Sequence, residues 1–182
     1  MFPAWDESLF RIINESHTAT MDVVMQFLSD KFVWIPLYAF LIYKLYQAKP
    51  QAIKAALLYV VLAVIWADQI SSSVLKPLVK RLRPSHVTEF KSWIHLPNGE
   101  GGLYGFCSSH AANAFAVACC IYLLTKNKSI GIPIFIWAAL VSYSRIYLGV
   151  HYPIDVITGA IVGISGAWIL KNLVYDKLTK NS

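Results

Sequence analysis

Long apolar runs separated by short polar segments occupy most of the chain, and this pattern predicts membrane-spanning helices. The runs lie at about residues 32–46, 52–75, 110–124, 130–143 and 154–174. A helix needs about 20 residues to cross the hydrocarbon core of a bilayer, so the first run needs residues from the segment before it. We therefore predict an all-α, multi-pass membrane bundle of about five to six transmembrane helices, forming a single membrane-embedded domain over residues 1–182.

Residues 1–30 follow a different pattern, in which apolar side chains are spaced for one face of a helix. Trp5, Leu9 and Ile13 recur among charged residues, and a similar spacing continues over 18–30. This spacing predicts an N-terminal amphipathic segment that lies in the membrane interface. The segment lacks the basic stretch and apolar core of a secretory signal, so insertion is expected to depend on the first span.

The composition supports a membrane protein, because 57% of the residues are hydrophobic and only 14% are charged. Soluble domains carry about 25% charged residues. The net charge is +6, but the basic residues lie between hydrophobic runs instead of on one soluble face. We therefore expect a membrane environment and no nucleic-acid partner, while the sequence indicates no particular oligomeric state.

Small residues and cysteines add two further expectations. Gly159, Gly163 and Gly166 in the last run predict close contact with a neighbouring helix. The cysteines and histidines lack metal-ligand spacings such as Cys-x-x-Cys, so no metal site is predicted.

The first polar motif lies at the end of the second run, where Lys76 is followed by Arg83 and Pro84. Arg83 can bind two oxygens of a phosphate, and Lys76 adds a point charge. The alternative is a basic flank that anchors the helix to lipid headgroups. For Lys80 and Arg81 the anchoring interpretation is favoured, whereas for Lys76 and Arg83 both interpretations stay open.

The second motif, Ser108-Ser109-His110, begins the third run. A helix N-terminus presents free N–H groups and the positive end of the helix dipole, which suit an anion. Simple capping of the helix by Ser108 or Ser109 is the structural alternative. His110 is placed to donate a proton to a leaving oxygen, although a single histidine at such a position is more often an interface residue.

The third motif joins Ser144-Arg145, His151 and Asp155. Asp155 follows His151 by four residues, so its carboxylate can accept a hydrogen bond from one ring nitrogen and leave the other free to attack. Pro153 suits the first turn of a helix. The alternative is that Asp155 only caps this helix and that His151 is incidental.

Together the three motifs resemble the three-part signature of the type 2 phosphatidic acid phosphatase family, membrane lipid phosphatases of the vanadium haloperoxidase-like superfamily. The signature elements Lys-x6-Arg-Pro and Ser-Arg-x5-His-x3-Asp match at every defined position. The family's Pro-Ser-Gly-His element is altered, because Cys107 replaces the proline and Ser109 the glycine.

The resemblance implies a helical, metal-independent phosphatase that needs no cofactor. His151 would be the nucleophile that becomes phosphohistidine, Asp155 would orient it, and His110 would protonate the leaving group and then activate water. The phosphate oxygens would be bound by Lys76, Arg83, Ser108, Arg145 and the backbone N–H of Ser109.

Asp68 lies in the second run on the stripe of Ser72 and Lys76. Either Asp68 holds Lys76 or Arg83 from behind the site, or it forms a hydrogen bond between helices. The aromatic-rich stretch 85–106 is expected to form a partly apolar lid at the headgroup region, with His17, His86 and His95 in loops or at the interface.

The resemblance implies a lipid phosphate or diphosphate substrate, such as undecaprenyl diphosphate, phosphatidylglycerophosphate, phosphatidic acid or a lipid A phosphate, and the sequence does not choose among them. A non-catalytic lipid-phosphate binder or transporter is an alternative, but binding alone would not need His110, His151 and Asp155. A vanadate-dependent haloperoxidase has a similar site, but those proteins are soluble.

Five spans place the three motifs on one side of the membrane and the short lysine-rich turns on the other. Short loops rich in lysine face the cytoplasm. We therefore expect a multi-pass protein of a bacterial-type inner membrane, with its site facing the periplasm or the exterior.

Overall fold

A computed structural model describes residues 2–180. The regular secondary structure of these residues is helical, with no β-strand among them. The principal helices are α1 (Ala4–Glu15), α2 (Ala19–Ser29), α3 (Ile35–Ala48), α4 (Ile53–Asp68), α5 (Lys76–Val79), α6 (Ser109–Thr125), α7 (Lys128–Tyr147), α8 (Pro153–Leu170) and α9 (Asp176–Lys180). A π-helical segment, Gln69–Leu75, joins α4 to α5, and another, Lys171–Tyr175, joins α8 to α9. Short 3-10 turns lie at Pro84–His86 and Thr88–Phe90.

Three continuous helical stretches are long and apolar enough to cross a membrane: Ile53–Val79, Lys128–Tyr147 and Pro153–Lys180. The shorter apolar helix α6 lies among them. The all-α membrane architecture is therefore confirmed. The count of five to six spans stays a prediction, because α3 and α6 contain only 14 and 17 residues.

Helix α6 forms the centre of the bundle and packs against α4, α7 and α8. Its buried face is rich in alanine, and α8 meets it through glycines. A Cβ on Gly163 would overlap the carbonyl oxygen of Ala112, and a Cβ on Gly159 would overlap that of Ser108. The predicted close helix contact is thus confirmed, since only a missing side chain lets the two backbones approach so closely.

The alternating direction of the helices brings four helix ends together. The end of the α4–α5 stretch, the start of α6, the end of α7 and the start of α8 lie at one end of the bundle. The first polar motif begins at the end of the α4–α5 stretch, the second lies at the start of α6, and the third joins the end of α7 to the start of α8. The fold therefore gathers residues that are far apart in sequence.

Helices α1 and α2 and the segment 80–108 cover this end of the bundle. Phe10 of α1 is buried against Phe90, Trp93 and Tyr152. The Asn14 side chain donates to the carbonyl oxygens of His95 and Tyr147, both at 2.8 Å. Much of the apolar surface of the predicted lid is thus packed against α1.

The remaining histidines belong to this covering layer. His95 forms a 2.8 Å hydrogen bond with Asp22 and stacks on His17, with ring centroids 3.7 Å apart. His86 lies 3.3 Å from the carbonyl oxygen of Gly101. Their positions match the expectation that they are loop residues.

Candidate active site

The structure brings all three polar motifs into one cluster. His110, at the first turn of α6, lies within electrostatic range of Lys76, Arg83, Arg145 and His151. Two histidines and three cations, supplied by the helix ends and by the covering segment, therefore lie near one another.

Lys76 is anchored by two hydroxyl groups. Its Nζ donates to Ser109 Oγ at 2.9 Å and to Ser72 Oγ at 3.3 Å. Ser109 occupies the position where the resembled motif has glycine, and glycine has no side chain to offer here. The replacement thus adds a contact that fixes the lysine beside the start of α6.

Arg83 lies against two glycines of the covering segment. Its Nε donates to the Tyr104 carbonyl oxygen at 3.3 Å, and a Cβ on Gly101 would lie 2.5 Å from Arg83 Nη1. A Cβ on Gly105 would lie 3.1 Å from both Arg83 Cγ and Asp155 Oδ2. Burial lowers the pKa of Arg83 while Asp155 opposes that shift. An arginine nevertheless stays protonated, so Arg83 supplies a permanent positive charge.

Ser108 is fully buried and caps α6, with its Oγ accepting a 3.5 Å hydrogen bond from the Ala111 N–H. Its own N–H donates to the Asp155 carbonyl oxygen at 2.9 Å. The capping role considered as an alternative is therefore real. Ser108 also ties the start of α6, with its positive dipole end, to the start of α8.

Arg145 is 9% exposed in the last turn of α7, where its Nη1 donates to Ser29 Oγ of α2. Its Nε has no hydrogen-bond partner among residues 2–180. Arg145 and His110 line a chamber of about 640 Å³ together with Ser29, Lys31 and Asn98. A donor left unpaired beside such a chamber suits an anionic ligand.

His151 is 1% exposed, and its Nδ1 lies 3.6 Å from Asp155 Oδ2. This separation is longer than a hydrogen bond, and within the described part of the chain Nδ1 has no partner. Burial lowers the pKa of His151 to about 4, against the raising effect of Asp155. The imidazole is therefore neutral at neutral pH, which is the state that can act as a nucleophile.

The carboxylate of Asp155 serves α8 as well as the histidine. Its Oδ2 accepts a 3.0 Å hydrogen bond from the Tyr152 N–H, which caps the helix. Its Oδ1 accepts a 3.0 Å hydrogen bond from Arg81. The capping interpretation of Asp155 is therefore observed, whereas the predicted hydrogen bond to His151 is not formed at 3.6 Å, although Oδ2 is the oxygen nearest that imidazole.

Arg81 corrects the interpretation that Lys80 and Arg81 form a lipid-anchoring flank. That prediction is wrong for Arg81, whose side chain is only 11% exposed and forms ion pairs with Asp6 at 2.6 Å and Asp155 at 3.0 Å. Its guanidinium also lies 3.7 Å from the ring centroid of Tyr152. Sequence spacing could not reveal these partners, because Asp6 and Asp155 are 75 and 74 residues away. Lys80 is exposed.

Asp68 forms the interhelical hydrogen bond that was its second interpretation, with Asn113 Nδ2 donating to Asp68 Oδ1 at 3.3 Å. No hydrogen bond or ion pair joins Asp68 to Lys76 or Arg83 in the described residues. Asp68 and Lys76 are eight residues apart, which separates them by about 12 Å along a helix at about 1.5 Å per residue.

A cavity of about 610 Å³ begins at Ser109 and His110 and continues between helices of the bundle. Its lining is mostly apolar, including Trp34, Val64 and Val117. Its further polar residues are Ser29, Lys31, Asp68 and Asn113. His110 lines both this apolar cavity and the polar chamber. The cluster therefore lies where a ligand with a polar head and an apolar tail would have its junction.

Comparisons with known proteins point to one family. Residues 54–178 match the family described as the PAP2 superfamily. The chain is 40% identical over 179 residues to a lipid A 4'-phosphatase of Bacteroides thetaiotaomicron, covering 96% of this chain and 78% of that protein. It is 35% identical to an undecaprenyl-diphosphatase of Sulfolobus acidocaldarius, covering 88% of this chain and 73% of that protein. The crystal structure of Aquifex aeolicus LpxE is similar, with a TM-score of 0.71, 27% identity and coverage of 93% of this chain and 96% of that chain.

Proposed function

The chain belongs to the PAP2 superfamily and is a phosphatase, and we propose that it hydrolyses lipid phosphates through a phosphohistidine formed on His151. The observation that carries this proposal is the environment of His151. It is a buried, neutral imidazole beside a carboxylate and within the field of Arg83 and Arg145. A nucleophile next to cations is what phosphoryl transfer through a histidine requires.

In the proposed first step, Nε2 of His151 attacks phosphorus, because Nδ1 faces Asp155. A P–N bond forms as the bond between phosphorus and the leaving oxygen breaks. His110, which carries its proton when the anionic phosphate group is bound beside it, donates that proton to the leaving oxygen. Lys76, Arg83 and Arg145 stabilise the charge on the transferred phosphoryl group. The start of α6, with Ser108 and Ser109, adds positive potential at the same place.

In the second step, water attacks the phosphohistidine, and the P–N bond breaks. His110, which is neutral after donating its proton, accepts a proton from the water. The products are inorganic phosphate and the enzyme in its starting state. No step in this sequence uses a metal ion, so we propose a metal-independent reaction.

A lipid substrate fits the space around His110. The apolar cavity between the helices and the polar chamber are both lined by His110, Ser29 and Lys31. A lipid can therefore keep its tail among apolar side chains while its phosphate reaches the cations. A soluble phosphate ester would leave the apolar cavity unused.

Among lipid phosphates, we propose the 4'-phosphate of lipid A as the first substrate to test. The relative with 40% identity over nearly the whole chain is named a lipid A 4'-phosphatase. Undecaprenyl diphosphate is the second candidate, because a relative with 35% identity is named for it. Phosphatidylglycerophosphate and phosphatidic acid complete the panel.

The test is phosphate release from these four lipids by the detergent-purified protein, with and without a chelator. We expect turnover that the chelator does not change, fastest on lipid A with the 4'-phosphate present. The variant His151→Ala should be folded but inactive on all four lipids. Loss of activity on chelation, or full activity of His151→Ala, would contradict the proposed mechanism. Preference for undecaprenyl diphosphate would replace the proposed substrate and leave the mechanism intact.

A further inference from the structure

Arg81 connects the candidate active site to a helix that contributes none of the three polar motifs. Its Nη2 donates to Asp6 Oδ2 of α1 at 2.6 Å, and its Nη1 donates to Asp155 Oδ1 of α8 at 3.0 Å. Both carboxylates are completely buried. One guanidinium thus bridges two buried negative charges, a geometry that its rigid fork of donors suits.

Asp6 is itself fixed at both oxygens. Its Oδ1 accepts a 2.8 Å hydrogen bond from the Ile154 N–H, in the first turn of α8, while Oδ2 holds Arg81. Helix α1 is therefore docked on the start of the helix that bears Asp155. The guanidinium is also enclosed by aromatic rings, 3.8 Å from the centroid of Phe2 and 3.7 Å from that of Tyr152.

Arg81 occupies the oxygen of Asp155 that faces away from the histidine. Asp155 Oδ1 binds Arg81, whereas Oδ2 binds the Tyr152 N–H and lies 3.6 Å from His151 Nδ1. These bonds fix the rotation of the carboxylate, and with it the oxygen that His151 Nδ1 meets. Oδ2 also lies close to the Gly105 backbone, since a Cβ there would be 3.1 Å away.

Charge balance makes the bridge necessary. Two carboxylates that are both removed from water repel each other and are costly to bury unless a cation lies between them. Without Arg81, Asp155 would be left with a buried charge and a single remaining hydrogen-bond donor. It would then be free to rotate towards another donor.

We propose that Arg81, held in place by Asp6 of α1, is a positioning residue that sets the orientation of Asp155 and through it that of His151. This inference rests on the proposed role of His151 as the nucleophile. It makes the N-terminal amphipathic helix part of the active-site architecture. Trp5 and Ile12 lie on the opposite face of α1, 50% and 67% exposed, so the helix that is linked to Asp155 through Arg81 also presents an apolar surface.

The test compares Arg81→Gln, Arg81→Lys and Asp6→Asn with Lys80→Gln, which removes an exposed positive charge next to Arg81. Loss of an orienting partner behind a catalytic group typically costs about 10–100-fold in activity. We expect Arg81→Gln to lower kcat by about that factor with little change in KM, because Arg81 does not contact the substrate. Arg81→Lys should recover part of the loss, Asp6→Asn should be intermediate, and Lys80→Gln should match the wild type.

A double-mutant cycle separates positioning from general destabilisation. In an Asp155→Asn background, Arg81→Gln should cause almost no further loss of kcat, because the residue through which it acts is already altered. The proposal would be overturned if the loss of kcat in the double variant equalled the product of the losses in the two single variants. It would also be overturned if Arg81→Gln kept the wild-type kcat. If Arg81→Gln does not fold, Asp6→Asn replaces it in the double-mutant cycle with Asp155→Asn, and the same two outcomes apply.

Failure of the positioning role of Arg81 can be distinguished from failure of the proposed phosphohistidine mechanism. If His151→Ala retained wild-type turnover, the phosphohistidine mechanism itself would be wrong. If His151→Ala were inactive while Arg81→Gln and Asp6→Asn both kept wild-type kcat, only the positioning role would be lost.

Discussion

At the scale of single residues, the two histidines of the site differ in what surrounds them. His151 is enclosed, with Asp155 on one side and cations on the other, whereas His110 borders both the polar chamber and the apolar cavity. A nucleophile benefits from a fixed, dry position, and a proton donor to the leaving group must reach the part of the substrate that departs. The structure thus gives a physical basis for assigning different roles to the two imidazoles.

The role of His110 can be tested by changing the leaving group. A lipid alkoxide needs a proton when its bond to phosphorus breaks, and an aryl oxide needs it less. General acid catalysis contributes about 10²–10⁴-fold, so His110→Ala should lose far more activity on a lipid monophosphate than on an aryl phosphate. The measurement is the pre-steady-state burst of phosphoenzyme formation.

Arg145→Ala is the matched control for that experiment. Arg145 acts on the transferred phosphoryl group, so its loss should slow both substrates to a similar extent. Equal losses on both substrates in His110→Ala would show that His110 is one more phosphate ligand and not a proton donor.

The pH dependence reports on His151. Burial lowers its pKa to about 4 and Asp155 opposes that shift. Only the neutral imidazole attacks, so phosphoenzyme formation should fall as the pH drops through about 4, below the ordinary histidine value of about 6.5. The charged and titratable groups that interact with this imidazole are Asp155 on α8, Arg145 on α7, His110 on α6 and Arg83 in the covering segment.

The variant Asp155→Asn separates the effect of His151 ionisation on the pH profile from the effect of substrate phosphate ionisation. Asp155→Asn removes the charge that raises the pKa of His151, so its acid limb should lie at a lower pH than that of the wild type. The substrate ionises identically in both measurements. Superimposable acid limbs would mean that Asp155 does not act on the nucleophile.

Sequence spacing predicted the residues of the site whose relationships are local. Ser108 lies directly before α6 and caps it, and Asp155 caps α8, as their positions in sequence predict. His151 lies just before α8, so its ring is near Asp155 but 3.6 Å away. Arg81 and Asp6 were missed, because a contact between residues 75 positions apart depends on how α1 docks. An arginine two residues before Arg83 looks the same in sequence whether it faces lipid or a buried carboxylate.

At the scale of helices, the apolar runs located the secondary structure well. The run predicted at 110–124 became α6, Ser109–Thr125, and the run at 130–143 became α7, Lys128–Tyr147. The π-helical segments were not predicted, since hydrophobic periodicity does not distinguish one wide turn within a helix.

The contact between α6 and α8 is predicted to be sensitive to a single methyl group. A Cβ on Gly163 would overlap the Ala112 carbonyl oxygen and lie 2.8 Å from the Ala116 nitrogen. Backbone atoms cannot move aside as a side chain can, so Gly163→Ala should cost about 1–3 kcal/mol of stability. The effect should appear as a lower Tm in detergent.

Gly102→Ala provides the matched control, because a Cβ at Gly102 meets no atom within 4 Å. Its Tm should equal that of the wild type. An unchanged Tm in Gly163→Ala would show that the two helices can separate without cost, and the close packing would not be essential to the bundle.

At the scale of the whole molecule, the two ends of the bundle have different chemistry. One end carries the candidate site under α1, α2 and the covering segment. The other carries the turn between α6 and α7, with exposed Lys126 and Lys128. Short lysine-rich turns favour the cytoplasmic side, so we propose that the site opens to the periplasm or the exterior.

Labelling of single cysteines would test this orientation. Asn98 is exposed beside the chamber that contains His110 and Arg145, and Lys128 is exposed at the start of α7 on the opposite end. A membrane-impermeant thiol reagent should therefore label Asn98→Cys in intact spheroplasts and label Lys128→Cys only after permeabilisation. Cys107, Cys119 and Cys120 are buried, so the unsubstituted protein is a low-background control. The reverse pattern would place the site in the cytoplasm, and a lipid substrate would then have to be presented from the inner leaflet.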